Sequence, residues 1–200
     1  MNKGRNKFYA WVRRWLIPIV MLFYPVDVHG RENIADEPVI LCANHSSALD
    51  PILMIGALDR QYDLRIMAKQ QLMTVPVVGW FIRKMGGFGV DRGNSDINSV
   101  KAAIRSLRDG WSLLVFPEGT RVKDMSRAEV KGGVAMMAIR GEVKLQPVFI
   151  QRNKKLFRKT RIIFGKAFAP VYTGRKGTAE EYQSNAEEVM RQAYELGEAK

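Results

Sequence analysis

Short, almost wholly apolar runs recur along the chain, each followed by a polar, glycine- or serine-bearing loop. Residues 38–43 (PVILCA), 112–116 (SLLVF) and 144–150 (KLQPVFI) are of this kind. They are too short for ordinary helices and apolar on both faces, as strands covered on both sides of a sheet must be. Residues 64–68 (LRIMA) and 161–164 (RIIF) predict further strands, and 26–30 (VDVHG) is strand-like. Helical stretches lie between and after them at 51–58, 70–85, 94–108, 129–140 and 178–196. In 94–108, Ile97, Val100, Ile104 and Leu107 recur at spacings of three, four and three, which predicts one buried face, with Asn94 or Ser95 at the cap. The 70–85 stretch is expected to break near Pro76 and Gly79. Residues 86–89 read as a glycine-rich turn into Val90-Asp91-Arg92, and Gly141 as the stop of its helix. Alternating strands and helices predict an α/β fold with a largely parallel central sheet flanked by helices.

The first 25 residues break this pattern. Residues 8–24 (FYAWVRRWLIPIVMLFY) carry aromatics at both ends and two arginines inside. The uninterrupted apolar part, 15–24, is ten residues long and contains Pro18, whereas a spanning helix needs about 20. Pro25 and a strand follow where a signal peptide would show a small-residue cleavage site. The expectation is an interfacial helix with Trp11, Trp15 and Phe23 in the lipid boundary and the arginines at head groups. Packing on the protein's own core is the alternative. The chain accordingly divides into an interfacial segment, 1–25, and one domain, 26–200.

Charge narrows the partners. Over 200 residues the net charge is +12, which fits nucleic acid, anionic lipid, an acidic carrier protein or a phosphorylated substrate. The bias is local. No Asp or Glu precedes Asp27, and none occurs from Lys144 to Lys176. No nucleic-acid recognition module has a readable signature here, so a basic nucleic-acid-binding protein is disfavoured. The run from Arg152 to Arg161 suits docking of an acidic donor, unless it is simply a solvated face. A single cysteine, Cys42, inside an apolar run reads as core, and two distant histidines with no Cys/His cluster argue against a metal site.

Three polar clusters remain. Asn44-His45-Ser46-Ser47-Ala48-Leu49-Asp50-Pro51 follows an apolar run, at the carboxyl end of a strand, where open α/β sheets bind ligands. A histidine there becomes a general base if a carboxylate orients it. Asp50 reaches His45 only if the chain turns between them, and Pro51 favours such a turn. Alternatively, Asp50 caps the next helix and His45 is a polar loop residue. The second cluster, Phe116-Pro117-Glu118-Gly119-Thr120-Arg121, also follows an apolar run and offers glycine and arginine to an anion, or is an ordinary turn. The third, Gly86 to Arg92, fits neither the dinucleotide fingerprint nor the phosphate loop. The serine-hydrolase elbow is absent, which disfavours Ser46 or Ser47 as a nucleophile.

In this order and spacing, His45 with Asp50, Gly89 with Arg92, and Phe116 to Arg121, together with Pro147 in an apolar strand, resemble the glycerolipid acyltransferases, above all the 1-acylglycerol-3-phosphate acyltransferases. The resemblance runs from about Val26 to Phe168. It implies transfer of a fatty acyl group from acyl-coenzyme A or acyl carrier protein, as donor substrate and without a cofactor, to the sn-2 hydroxyl of a lysophosphatidic acid. Glycerol-3-phosphate or another lysolipid is the alternative acceptor. It further implies His45 and Asp50 as the catalytic pair, and Asn44, Lys69, Gly89, Arg92, Glu118, Gly119, Thr120 and Arg121 at the substrate. The implied location is the cytoplasmic face of the cell membrane, peripheral or monotopic. Gln146 departs from the pattern, standing where relatives carry an apolar residue, so the shape of the acyl pocket is expected to differ.

Overall fold

The computed structural model describes residues 6–58, 62, 64–90, 97–119 and 130–198. Its centre is a seven-stranded sheet. The strands in chain order are β1 (Val26–His29), β2 (Val39–Ala43), β3 (Leu64–Lys69), β4 (Phe88–Val90), β5 (Ser112–Val115), β6 (Lys144–Ile150) and β7 (Thr160–Phe164). Across the sheet they run β1-β7-β6-β2-β5-β3-β4, all neighbours parallel except β6 with β7. The parallel α/β expectation holds. β4 is an addition: the glycine-rich segment turns at Gly86 and Gly87 and then pairs Phe88 with Met67 and Gly89 with Ala68.

β2 lies at the middle, and its all-apolar composition follows from being covered on both faces. Val39, Leu41 and Ala43 face one core, shared with Leu114, Val148 and Ile150. Ile40 and Cys42 face the other, shared with Leu113, Val115 and Leu145. The first core is closed by α1 (Lys7–Trp11), α2 (Ile17–Phe23) and α3 (Asp50–Ala57). The second is closed by α6 (Ile97–Arg108), α7 (Gly133–Gly141) and α8 (Ala179–Glu198). Between β3 and β4 the expected break falls at Val75, separating α4 (Gln70–Thr74) from α5 (Pro76–Lys84), while Gly79 lies inside α5. Burial lifts the Cys42 thiol far above its ordinary pKa, in keeping with a core residue.

α6 corrects the periodicity argument. Its buried residues are Ser99, Ala103, Ser106 and Leu107, and Ile97 is exposed. Small side chains let the helix lie close, and the serines stay satisfied: Ser99 Oγ donates to Gly89 O at 2.8 Å, and Ser106 Oγ to Ala102 O at 2.8 Å. Asn94 and Ser95, the expected caps, lie outside the described residues.

The N-terminal helices pack one side on the protein's own core and leave the other exposed. Tyr9, Val12 and Ile17 are buried in the first core, whereas Trp11, Trp15, Ile19, Leu22 and Phe23 are exposed on the opposite side. Between α1 and α2 the chain widens into a π-helical segment, Val12–Leu16, just before Pro18. That suits a proline that lacks an N–H and crowds the carbonyl four residues back. Arg13 departs from the head-group expectation: it is buried, donates to Leu58 O, and stands over the Tyr9 ring at 5.9 Å. Arg14 remains exposed. Among the described residues no helix is long and apolar enough to cross a membrane.

Gln146 is fully buried, and its amide is engaged by backbone. Nε2 donates to Asn33 O at 2.6 Å and Gly165 O at 3.0 Å, and Oε1 accepts from Ala35 N at 3.4 Å. The polar departure thus anchors the segment entering β2 rather than facing the carboxyl end of the sheet. Gln146→Val should strand these backbone groups and lower unfolding free energy by about 1–3 kcal/mol. Urea denaturation should show a lower midpoint at unchanged slope.

Candidate active site

The carboxyl ends of the parallel strands define one edge of the sheet. His45 lies two residues beyond β2, and Glu118 three beyond β5. Lys69 ends β3, exposed and in register with Val90 of β4. The first two clusters singled out by spacing therefore converge, with Lys69 and Gly89 on the same edge. Arg92, Thr120 and Arg121 lie outside the described residues.

The loop after β2 is shaped around Asp50. His45 Nδ1 lies 2.9 Å from Asp50 Oδ2, and the same oxygen accepts the backbone N–H groups of Ser46 and Ser47, each at 2.7 Å. The carboxylate points back at residues 45–47, which disposes of a purely capping role. Pro51 at the start of α3 and the Asp50 N–H to Ser47 O bond, 3.1 Å, close the turn that brings the pair together. Asp50 is 0% exposed. Its other oxygen faces Lys154 Nζ at 2.5 Å, a contact held by charge rather than by regular hydrogen-bond geometry. Burial alone would raise the carboxyl's pKa. The bonds from His45 and Lys154, the Lys154 charge and the Ser47 N–H outweigh burial and hold it below its ordinary value.

An ionised Asp50 fixes the tautomer. Oδ2 offers no proton, so Nδ1 donates and Nε2 carries the free lone pair. Phe116 stacks on the imidazole with centroids 4.2 Å apart and 25° between planes, which sets the ring's tilt. The side chain of His45 is 18% exposed, enough for a ligand to reach it.

Two residues expected at the substrate are held by bonds within the protein. Asn44 is buried and its amide clasps the Ile150 backbone, accepting from N at 2.7 Å and donating to O at 2.9 Å. It ties the end of β2 to the end of β6. Glu118 is turned inward: Oε2 accepts the His45 N–H at 3.0 Å, and Oε1 accepts the Tyr194 hydroxyl at 2.5 Å. Burial pushes its carboxyl up, partly countered by those two bonds and by the charges of His45 and Arg152. Gly119 holds a φ of +74° in the turn that bonds back to Phe116 O, a conformation that side chains disfavour. At Gly89 a Cβ would come within 2.0 Å of Gln70 Oε1, so glycine lets α4 close over β4. Lys154 and Tyr194 were not singled out from the sequence. Among the described residues no three His, Cys, Asp or Glu side chains gather as a metal site would need.

The structure thus brings a histidine–aspartate pair to the carboxyl edge of a parallel sheet, with the glutamate of Phe116-Pro117-Glu118-Gly119 bonded to the histidine's backbone. The chain belongs to the acyltransferase family, whose model matches residues 25–151. Among relatives, the 1-acyl-sn-glycerol-3-phosphate acyltransferase of Streptococcus pneumoniae is 33% identical over 73% of this chain and 55% of its own. That of Bacillus subtilis is 30% identical over 77% and 78% respectively. The crystal structure of the 1-acyl-sn-glycerophosphate acyltransferase of Thermotoga maritima superposes with a TM-score of 0.71 at 27% identity, covering 100% of this chain and 85% of that one. The chain spans about half the length of several curated relatives it matches.

Tyr194→Phe tests the Glu118 brace. Its folded pKa is raised, so Glu118 holds its proton to higher pH in the fold than in the unfolded chain. The stability associated with that proton is lost as pH rises from the unfolded value, about 4.3, through the folded one. Tyr194 supports the ionised form. The variant should lose about 1 kcal/mol in acid, where only a neutral bond is lost, and about 1.5–3 kcal/mol above the folded pKa. Denaturant unfolding at both pH values would read this difference, and a pH-independent loss would count against it.

Proposed function

We propose that this protein transfers a fatty acyl group from acyl-coenzyme A or acyl carrier protein to the sn-2 hydroxyl of 1-acyl-glycerol-3-phosphate, giving phosphatidic acid. The observation that carries the proposal is the His45 Nδ1 to Asp50 Oδ2 contact of 2.9 Å at the sheet's carboxyl edge, in a chain of this family. His45 Nε2 removes the acceptor's hydroxyl proton as its oxygen attacks the thioester carbonyl. The tetrahedral adduct collapses, the C–S bond breaks, and the imidazolium returns the proton to the departing thiolate. The thioester is already activated, so no acyl-enzyme is needed. Lys69, with Arg92 and Arg121, holds the acceptor's phosphate.

The lipid acceptor explains the exposed apolar face. Trp11, Trp15 and Leu22, at 54%, 57% and 69% exposure, project from the helices whose other side is core. Phe23 packs on Phe157 at 5.6 Å, and Phe8 on Trp80 at 5.4 Å, joining the exposed Phe157 and Trp80 to the same apolar belt. Laid on a bilayer, this face immerses aromatics at the interface and leaves Lys7 and Arg14 to anionic head groups.

Two measurements test this. Purified protein supplied with lysophosphatidic acid and either donor should form phosphatidic acid, and His45→Ala should lower kcat/KM by about 10²- to 10⁴-fold. Equal rates for variant and wild type would remove His45 from the chemistry, and turnover of glycerol-3-phosphate alone would move the acceptor. Separately, Trp11→Ser/Trp15→Ser should retain its unfolding midpoint yet bind anionic vesicles at least about tenfold more weakly in sedimentation. Undiminished binding would place the membrane face elsewhere.

A further inference from the structure

Lys154 is a cation without an evident task in the transfer, yet its side chain is only 3% exposed. It sits in the loop after β6, within the basic run that suits donor docking. Three oxygens surround Nζ: Asp50 Oδ1 at 2.5 Å, Gln151 O at 2.8 Å and Ser46 Oγ at 3.0 Å. Enclosed by these protein oxygens, Nζ is not open to a substrate phosphate or an acidic partner. Its contacts fall instead on the two ends of the catalytic loop, the serine after His45 and the carboxylate that orients it.

We propose that Lys154 is a positioning residue of the catalytic pair, keeping Asp50 ionised and aimed at His45 while the histidine takes up and returns a proton. The inference rests on His45 acting as the general base. A buried carboxylate next to an imidazolium is inclined to take its proton, which would move the charge away from the reacting edge. A cation against the far oxygen makes that transfer unfavourable. The same cation disfavours a further positive charge at the reacting edge, by Coulomb repulsion across the carboxylate. Among the described residues, the other charged or titratable groups facing the pair are Glu118, on the His45 N–H, and behind it Tyr194 from α8 and Arg152, whose charge acts on Glu118. Glu118 opposes Lys154 in sign but touches the backbone of His45, whereas Lys154 touches the carboxylate itself.

The test is a cycle of Lys154→Met, Asp50→Asn and the double variant in the full chain, each near-isosteric. Urea unfolding at neutral pH reads the pairing without reference to activity. Lys154→Met should lower the folding constant about 100-fold or more by leaving the carboxylate uncompensated, and the double variant should recover at least about tenfold of that loss. Additive losses, or a double variant no more stable than Lys154→Met, would overturn the pairing. Should Lys154→Met fail to fold, a folded double variant supports the proposal and an unfolded one refutes it. The second readout is the acid limb of kcat/KM. In Lys154→Met it should move to higher pH by about one to two units, the scale of one charge across a carboxylate at an effective dielectric of about 20. A limb that stays in place while the rate falls uniformly would reduce Lys154 to a structural role. A wild type inactive on every acceptor would sink the proposed function, while the unfolding cycle would still decide the pairing.

Discussion

A carboxylate shut away from water is the constraint on which the site depends. Moving such an ion out of water has an effective penalty of several kcal/mol, and Asp50 is fully buried. The surrounding chain is arranged to offset that penalty. Ser46 and Ser47 turn their N–H groups to one oxygen, the imidazole donates at the same oxygen, and an ammonium from a different loop lies at the other. Each partner that stabilises the carboxylate is also fixed by it, so the geometry of the imidazole follows from solvation of the carboxylate. Asn44 then holds the two contributing loops together through the Ile150 backbone.

The N-terminal helices show a second economy. One side supplies Tyr9, Val12 and Ile17 to the core that contains β2, and the other presents tryptophans and leucine to the outside. A helix apolar all round is normally buried on every side or placed in lipid. Here the buried arginine, capped by the Leu58 carbonyl, shows that charge alone did not decide which side faces out.

Much of the fold was legible in the pattern of apolar runs. β2, β5 and β6 are buried on both faces and therefore read as continuous blocks. β4 escaped notice because three residues with a central glycine carry almost no periodic signal. In α6 the apolar stripe was right at Leu107 and Val100, which meet the second core, but Ile97 is exposed and the rest of the buried face is serine and alanine, which carry no apolar signal. At the site, His45 and Asp50 were legible because a short spacing and a proline made their meeting plausible. Lys154 and Tyr194 were not, since they reach Ser46 and Glu118 across 108 and 76 residues of chain and sit among other surface-type residues. For Asn44 and Glu118 the sequence did not reveal the intramolecular partners, the Ile150 backbone and the His45 N–H with the Tyr194 hydroxyl, because these lie far along the chain.

The separation of Ser46 from Lys154 also bears on how the protein is made. β2 finds its sheet neighbours only in β5 and β6. At about 5–20 residues per second, a growing chain carries the catalytic loop for roughly 5–20 seconds before Lys154 and the strand preceding it leave the ribosome. During that interval the loop lacks Lys154, and β2 lacks β6 along one edge throughout, while β5 becomes available for the other only after about two thirds of it. The nascent chain therefore passes through a stage in which apolar strands are exposed and the base is unassembled, and both are resolved together when β6 docks.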